Sequence, residues 1–250
     1  MNDILLIAGA GLVAGTMNAI AGGGSFVTLP ALMAAGVPAL NANASSTVAL
    51  VPSALASAYA YRHDFQGFEG VSFRVMALLS VLGGACGAIL LLVTPQSVFA
   101  ILVPFLLLFG TLAFAFGRQA GAWLRQRVHI TPRMMLACQF VLGVYGGYFG
   151  GAVGIMMLAA WSLLTSASIA AMQPARNLLN SAMNATATIL FVAGGLVFWR
   201  QTFILFGGAI IGGYFGAHYG RKIDPAKARI VISGLNTCMT ALVFWRTFAS

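Results

Sequence analysis

Apolar residues in this chain run in long unbroken blocks: 4–20, 25–36, 43–61, 73–93, 97–117, 134–150, 152–164, 175–198, 201–219 and 227–248. Blocks of this length predict helices rather than strands. Apolar on every side, they predict helices whose solvent is lipid. The breaks between blocks are of two kinds. Arg62-His63-Asp64, Arg118 through Arg133, and Arg221-Lys222-Ile223-Asp224-Pro225 are charged, whereas Ala21-Gly22-Gly23-Gly24 and Gly150-Gly151-Ala152-Val153-Gly154 carry no charge. An uncharged glycine break can lie at membrane depth when protein or a cavity surrounds it.

A spanning helix needs about 20 residues, because the hydrocarbon layer is about 30 Å thick. Block 25–36 supplies only about 18 Å of helix. Joined end to end with block 4–20 it would reach about 50 Å, which overshoots. A re-entrant hairpin of two half-helices, entering and leaving on one face, satisfies both lengths. The same argument holds for 134–150 with 152–164.

The chain also resembles itself. Gly11-Leu-Val-Ala-Gly15 matches Gly143-Val-Tyr-Gly-Gly147, an offset of 132. Gly83-Gly84-Ala-Cys-Gly87-Ala88 matches Gly212-Gly213-Tyr-Phe-Gly216-Ala217, an offset of 129. Thr94-Pro95 matches Asp224-Pro225, an offset of 130. Matches in one order at nearly one offset predict two repeats. The expected organisation is one membrane domain, 1–250, in two halves, 1–125 and 126–250, each a re-entrant hairpin plus three transmembrane helices.

Composition agrees with a membrane chain. Hydrophobic residues are 60% of the 250 and charged residues 7%, against about 25% charged in a soluble domain. The formal charge is +9. Its location between apolar blocks makes it a topology signal, not a nucleic-acid surface. If each hairpin returns to its starting face, one face collects Arg62, Arg74, Arg118, Arg125, Arg127, Arg133, Arg221, Lys222, Lys227 and Arg229, and the other holds Arg200 and Arg246. One net crossing per hairpin would give a weaker asymmetry. The positive-inside rule therefore favours three net crossings per half. The second half is then inverted relative to the first, which places a binding site near the midplane where broken helices meet. Both termini are expected outside the cytoplasm of a multi-pass inner-membrane protein. Asp3 in place of a basic start argues against a cleaved signal peptide. Cys86, Cys138 and Cys238 show no metal spacing and read as buried packing.

Ala21-Gly-Gly-Gly-Ser-Phe-Val-Thr-Leu-Pro-Ala-Leu32, Gly36-Val-Pro38 and Asn41-Ala-Asn-Ala-Ser-Ser-Thr-Val-Ala-Leu50 resemble the sulfite exporter TauE/SafE family of membrane permeases. Gly146-Gly-Tyr-Phe-Gly-Gly-Ala-Val-Gly154 and Ala175-Arg-Asn-Leu-Leu-Asn180 are similar to it in the second half. The resemblance covers essentially the whole chain. It implies transport of small anions, often sulfur oxyanions or organosulfonates, in a family whose substrates vary.

The residues themselves suggest how an anion would be held. Gly22, Gly23 and Gly24 permit unusual backbone, and a half-helix opening at Ser25 offers free N–H groups and a positive dipole end. Gly151 and Gly154 would open the half-helix 155–164 in the same way. Asn43, Ser46, Ser53 and Ser57 share a helical face, with Thr47 beside them. Asn177, Asn180 and Asn184 form the matching face, with Ser181 alongside. Interhelical hydrogen bonding is the competing role for these side chains. Arg176, read as lying in the first turn of its helix after Pro174, could draw anions in, or simply snorkel. Asn18 precedes the first glycine break. Gly11, Gly15, Gly83, Gly87, Gly212 and Gly216 read as close helix packing. Trp123, Trp199 and Trp245 suit an aromatic belt, and Trp161 is grouped with them.

No Asp or Glu lies within these blocks, so proton coupling through an internal carboxylate is not expected. A P-loop, an HExxH motif and a GxSxG motif are all missing, which disfavours ATP hydrolysis and enzyme chemistry. No cofactor or metal is expected. The expected partners are a small anionic substrate and the lipid bilayer, with a homodimer left open. The reading is a permease for small anions. A channel for a small weak acid or neutral solute is the alternative, and a membrane-embedded subunit without transport is a third.

Overall fold

The computed structural model describes residues 2–20, 23–60, 71–125, 131–163, 169–220 and 225–249. Among these there is no sheet, and helices follow the apolar blocks one for one: α1 Asn2–Ile20, α2 Ser25–Ala34, α3 Ala39–Ala60, α4 Phe73–Val93, α5 Gln96–Arg125, α6 Pro132–Tyr148, α7 Val153–Trp161, α8 Ile169–Ala193, α9 Trp199–Gly220 and α10 Pro225–Phe248. Phe73–Val93, Gln96–Gly117 and Ile230–Phe248 are long and apolar enough to cross a bilayer. Helices α2 and α7, of 10 and 9 residues, reach only about 15 Å.

Three boundaries differ from expectation. Helix α5 continues through the basic stretch to Arg125, because Arg, Gln and Ala are good helix formers once a helix is under way. Helix α8 begins at Ile169 and carries Pro174 inside it, so Arg176 is not in a first turn. Buried Met172 and Ala175 on either side of the proline pack the turn it would otherwise weaken. Helix α7 spans 153–161 rather than 155–164, starting two residues nearer the glycine break.

Burial is reversed relative to a soluble protein. The short α2 is wrapped from Phe26 to Leu32, while Leu5, Val93 and Ile230 stand outward. Hydrophobicity cannot distinguish core from lipid face. Cys86 and Cys238, read as buried, are in fact exposed on the outside of their helices, and Cys138 is half-buried. Trp161 is also corrected. It is fully buried, and its Nε1 donates to Gln139 Oε1 at 3.1 Å while Gln139 Nε2 donates to Ser80 at 2.8 Å. That chain of bonds ties α7, α6 and α4 together. Trp123, Trp199 and Trp245 are exposed, as a belt requires.

The packing has a regular plan. Exchanging α1 with α6, α2 with α7, α3 with α8, α4 with α9 and α5 with α10 converts each neighbouring pair into another neighbouring pair, except α3 against α5. Helix α1 runs parallel to α9, with Gly11 against Leu205 and Gly216 against Thr16. Helix α4 runs parallel to α6, with Gly83 against Phe140 and Gly87 against Val144. Helices α3 and α8 are antiparallel: Asn41 Nδ2 donates to the Leu196 carbonyl, and Ser181 Oγ to that of Ala54. Helices α5 and α10 are antiparallel too, joined by Thr111–Thr240 and by the rings of Phe105 and Phe244.

The glycine stripes expected to serve packing do so. A Cβ on Gly212 would fall inside the Leu12 carbonyl, and one on Gly15 inside that of Ala209. Such contacts let backbones approach where lipid supplies no hydrophobic drive. Gly9, with nothing within 4 Å of its would-be Cβ, is the internal control. Gly212→Ala is expected to destabilise the purified protein by about 1–3 kcal/mol, and Gly9→Ala to be neutral or slightly stabilising. Thermal unfolding in detergent measures both.

Candidate functional site

The first hairpin turns between α1 and α2. Gly23 adopts φ +91°, a left-handed conformation that suits glycine. Gly24 must be small because a Cβ there would press on the Ala14 carbonyl at 2.7 Å. Its N–H donates to Asn18 Oδ1 at 2.8 Å. The Phe26 and Val27 amides bond back to the carbonyls of Gly23 and Gly24. The α2 opening is therefore less free than expected, since a side chain caps one of its donors. Ser25 is half-buried at the first helical position, and Gly22 lies outside the described residues.

The second hairpin turns between α6 and α7. Here the left-handed residues are Gly150, φ +77°, and Ala152, φ +58°, rather than Gly151 and Gly154. Gly151 instead packs beneath the Phe149 ring. Gly154 sits in the first turn of α7, where a Cβ would come within 3.2 Å of Arg176 Cδ. The half-buried Arg176 lays its stem on that opening turn, and its Nε and Nη2 donate to Asn177 Oδ1 at 3.1 and 2.6 Å. A guanidinium and a helix N-terminus thus bring two positive fields to one place.

Helix α3 joins the two hairpins. Its Ser46 pairs with Thr28 of α2 at 2.5 Å, and Asn43 Nδ2 donates to the Tyr148 carbonyl at the end of α6 at 3.0 Å. Thr47 Oγ1 and Asn184 Oδ1 both face the turn at Gly150, 3.9 and 3.6 Å from where its Cβ would lie. Asn184 Nδ2 donates to Asn180 Oδ1 at 3.1 Å. Both hairpins also meet α5 at Gly110, whose would-be Cβ touches the Phe26 ring and, at 3.4 Å, Ala152 Cβ.

Asn43, Ser46 and Thr47 therefore gather between the hairpins. Asn184, bonded to Asn180, reaches the second turn from α8, and Arg176 and Asn177 of α8 group with Gly154 at the opening of α7. Asn43 and Ser46 each spend a polar group on helix-to-helix bonding, as the competing reading held. The side chains of Ser53 and Ser57 lie outside the described residues. Thr28, wholly buried, and Asn236 of α10 were missed. Asn236 is fully buried with neither Nδ2 nor Oδ1 paired, and its Nδ2 lies 3.9 Å from the would-be Cβ of Gly23. Leaving such an amide unpaired costs about 1–3 kcal/mol. The available signal was a lone asparagine within a lipid-facing apolar block.

Among the described residues no group of three or more His, Cys, Asp or Glu could hold a metal. A cavity of about 280 Å³ opens between α5 and α7, lined by Leu112, Phe116, Ala159 and other apolar residues, and none of the polar residues above lines it.

Comparison with known proteins adds the family context. The family described as Sulfite exporter TauE/SafE matches residues 7–243. The chain is 31% identical over 235 residues to a probable membrane transporter protein of Haemophilus influenzae, covering 93% of this chain and 89% of that one. It is 28% identical over 233 residues to the probable membrane transporter protein YfcA of Escherichia coli K12, covering 93% and 84%. It is 30% identical over 229 residues to the probable membrane transporter protein ORF9 of a Sinorhizobium, covering 90% and 85%. No solved structure matches.

Asn18→Ala should cost about 0.5–2 kcal/mol, the usual worth of a capping side chain. It should also raise hydrogen exchange at the Gly24 amide; unchanged exchange there would remove Asn18 from the turn.

Proposed function

The chain belongs to the sulfite exporter TauE/SafE family of membrane transporters, and on that premise we propose that it is a permease for small anions of the sulfite and sulfonate class. It is a multi-pass integral membrane transporter and not an enzyme. The proposed site lies between the two hairpins, near the membrane midplane. One observation carries this reading: α3 hydrogen-bonds to both hairpins, through Ser46–Thr28 and Asn43–Tyr148, and so gathers two interrupted helices around one polar strip.

Discontinuous helices meeting in this way suit a transport site. Openings of half-helices and neutral amides can bind an anion and let it go, while Arg176 supplies a charge beside α7. The exchange of neighbours between residues 1–125 and 126–250, and the opposite courses of α3 and α8 and of α5 and α10, support a pair of inverted repeats. The shortness of α2 and α7 supports re-entrant hairpins. In the proposed assignment the substrate touches Gly23, Gly24, Ser25 and Asn18 at one turn. At the other it touches Asn43, Thr47, Gly151, Gly154, Arg176, Asn177 and Asn180, with Ser46 between the two, beside Thr28 of α2.

Proteoliposome flux of labelled sulfite, thiosulfate and methanesulfonate tests the permease. Saturable counterflow is expected, with Arg176→Ala raising the apparent KM about tenfold, the scale of one hydrogen bond to a charge. No flux for any anion rules the reading out, and non-saturating flux assigns a channel. The inverted topology also predicts that cysteines placed at Arg125 and Arg221 label from the cytoplasmic side. Labelling from opposite sides would refute it.

A further inference from the structure

Helix α10 passes the first hairpin, and Thr237 and Thr240 on it are hydrogen-bonded. Thr240 Oγ1 donates to the Asn236 carbonyl at 2.7 Å, and Thr111 pairs with Thr240 at 3.0 Å. One turn away, the Asn236 side chain has no exposed surface and no partner for either amide atom. Among the described residues the only other such orphan is the Thr188 hydroxyl.

Packing does not require an amide there. The repeat offsets of 129 to 132 set Asn236 against residues 104–107 of α5, Pro104-Phe105-Leu106-Leu107, where every side chain is apolar. Leu107 is fully buried in the apolar core. The fold thus accepts an apolar side chain at this place beside one hairpin and carries an unsatisfied asparagine beside the other. A buried polar group retained at a cost in stability, where an apolar one fits, points to an occupant.

Asn236 is directed at the opening of α2, its Nδ2 lying 3.9 Å from the Gly23 Cβ position. Two features then converge: the positive end of a ten-residue helix, and a carboxamide that needs one acceptor and one donor. A fully ionised oxyanion can satisfy only the Nδ2–H donor and would set its oxygens against Oδ1. An anion that keeps one proton satisfies both, accepting from Nδ2 and donating its O–H to Oδ1.

We propose that Asn236 is a ligand-binding residue at the first hairpin, and that the ligand it selects is a singly protonated oxyanion such as hydrogensulfite. The proposal rests on the permease reading and sharpens it. It also means that the proton crosses on the substrate, in a chain whose apolar blocks hold no carboxylate to carry one.

The test is anion binding to purified wild type, Asn236→Leu and Asn236→Ser by titration calorimetry, with sulfite and methanesulfonate as probes. Methanesulfonate has the same single charge but carries no O–H to donate to Oδ1. Wild type should prefer sulfite to methanesulfonate by at least about tenfold, the scale of one charge-assisted hydrogen bond. It should lose affinity for sulfite as pH rises and the last proton leaves. Asn236→Leu should erase that preference while raising the thermal midpoint of the ligand-free protein, and Asn236→Ser should fall between. Equal affinity of wild type and Asn236→Leu for sulfite, with transport intact, overturns this proposal alone. Sulfite binding by wild type that is indifferent to pH overturns it likewise. Failure of wild type to bind either anion, together with absence of flux, overturns the permease reading as well.

Discussion

Backbone N–H and C=O groups cannot be left unpaired in hydrocarbon, where no water is available to satisfy them. Much of this architecture follows from that restriction. Two helices break inside the apolar part of the chain, near residues 20–25 and 148–153, and each break exposes peptide groups that must be paired by protein. Asn18 takes the Gly24 N–H, and Asn43 takes the Tyr148 carbonyl. A break secured in this way can remain at depth. Its peptide dipoles then stay in a low-dielectric setting, where they act strongly on a charged solute.

The second requirement is close approach. Lipid tails are as apolar as leucine, so helices gain little by hiding side chains from them. Contact comes from shape, and the glycines of α1, α4, α6 and α9 supply it by bringing backbone against backbone. The longer polar side chains are thereby concentrated elsewhere, on the inner strips of α3 and α8. Those strips can serve packing and binding together. Asn43 uses one amide hydrogen to hold the second hairpin, and Ser46 uses its hydroxyl on Thr28. Asn236 makes no such contribution, which distinguishes it from the polar side chains that hold the bundle together.

Legibility from sequence varied with the kind of information involved. Block boundaries were readable because a membrane helix is announced by length and hydropathy, and both are local. The ends of α5 and α8 were less so. A run of arginine, glutamine and alanine can be helix or loop, and Pro174 can start a helix or sit inside one. The turn residues of the second hairpin were misplaced, since glycine composition does not say which residue takes positive φ. Ala152 adopted it in preference to Gly151 and Gly154. Cys86, Cys238 and Trp161 lie opposite to expectation because hydrophobicity has the same value facing lipid and facing core.

The sequence by itself determined a helical membrane chain, the number and extent of its apolar segments, the presence of two glycine breaks and the family to which they belong. These are properties of composition and spacing along one dimension, set by bilayer thickness and by the rise of the helix. Only the tertiary structure decided which polar groups those breaks consume and which remain. Asn18 and Asn236 look alike in sequence, each an asparagine among apolar neighbours. One caps a turn in its own hairpin, and the other is carried to the same turn from the far end of the chain and left unpaired. Hydrogen-bond satisfaction depends on what lies within about 3 Å in space, and no local pattern encodes that.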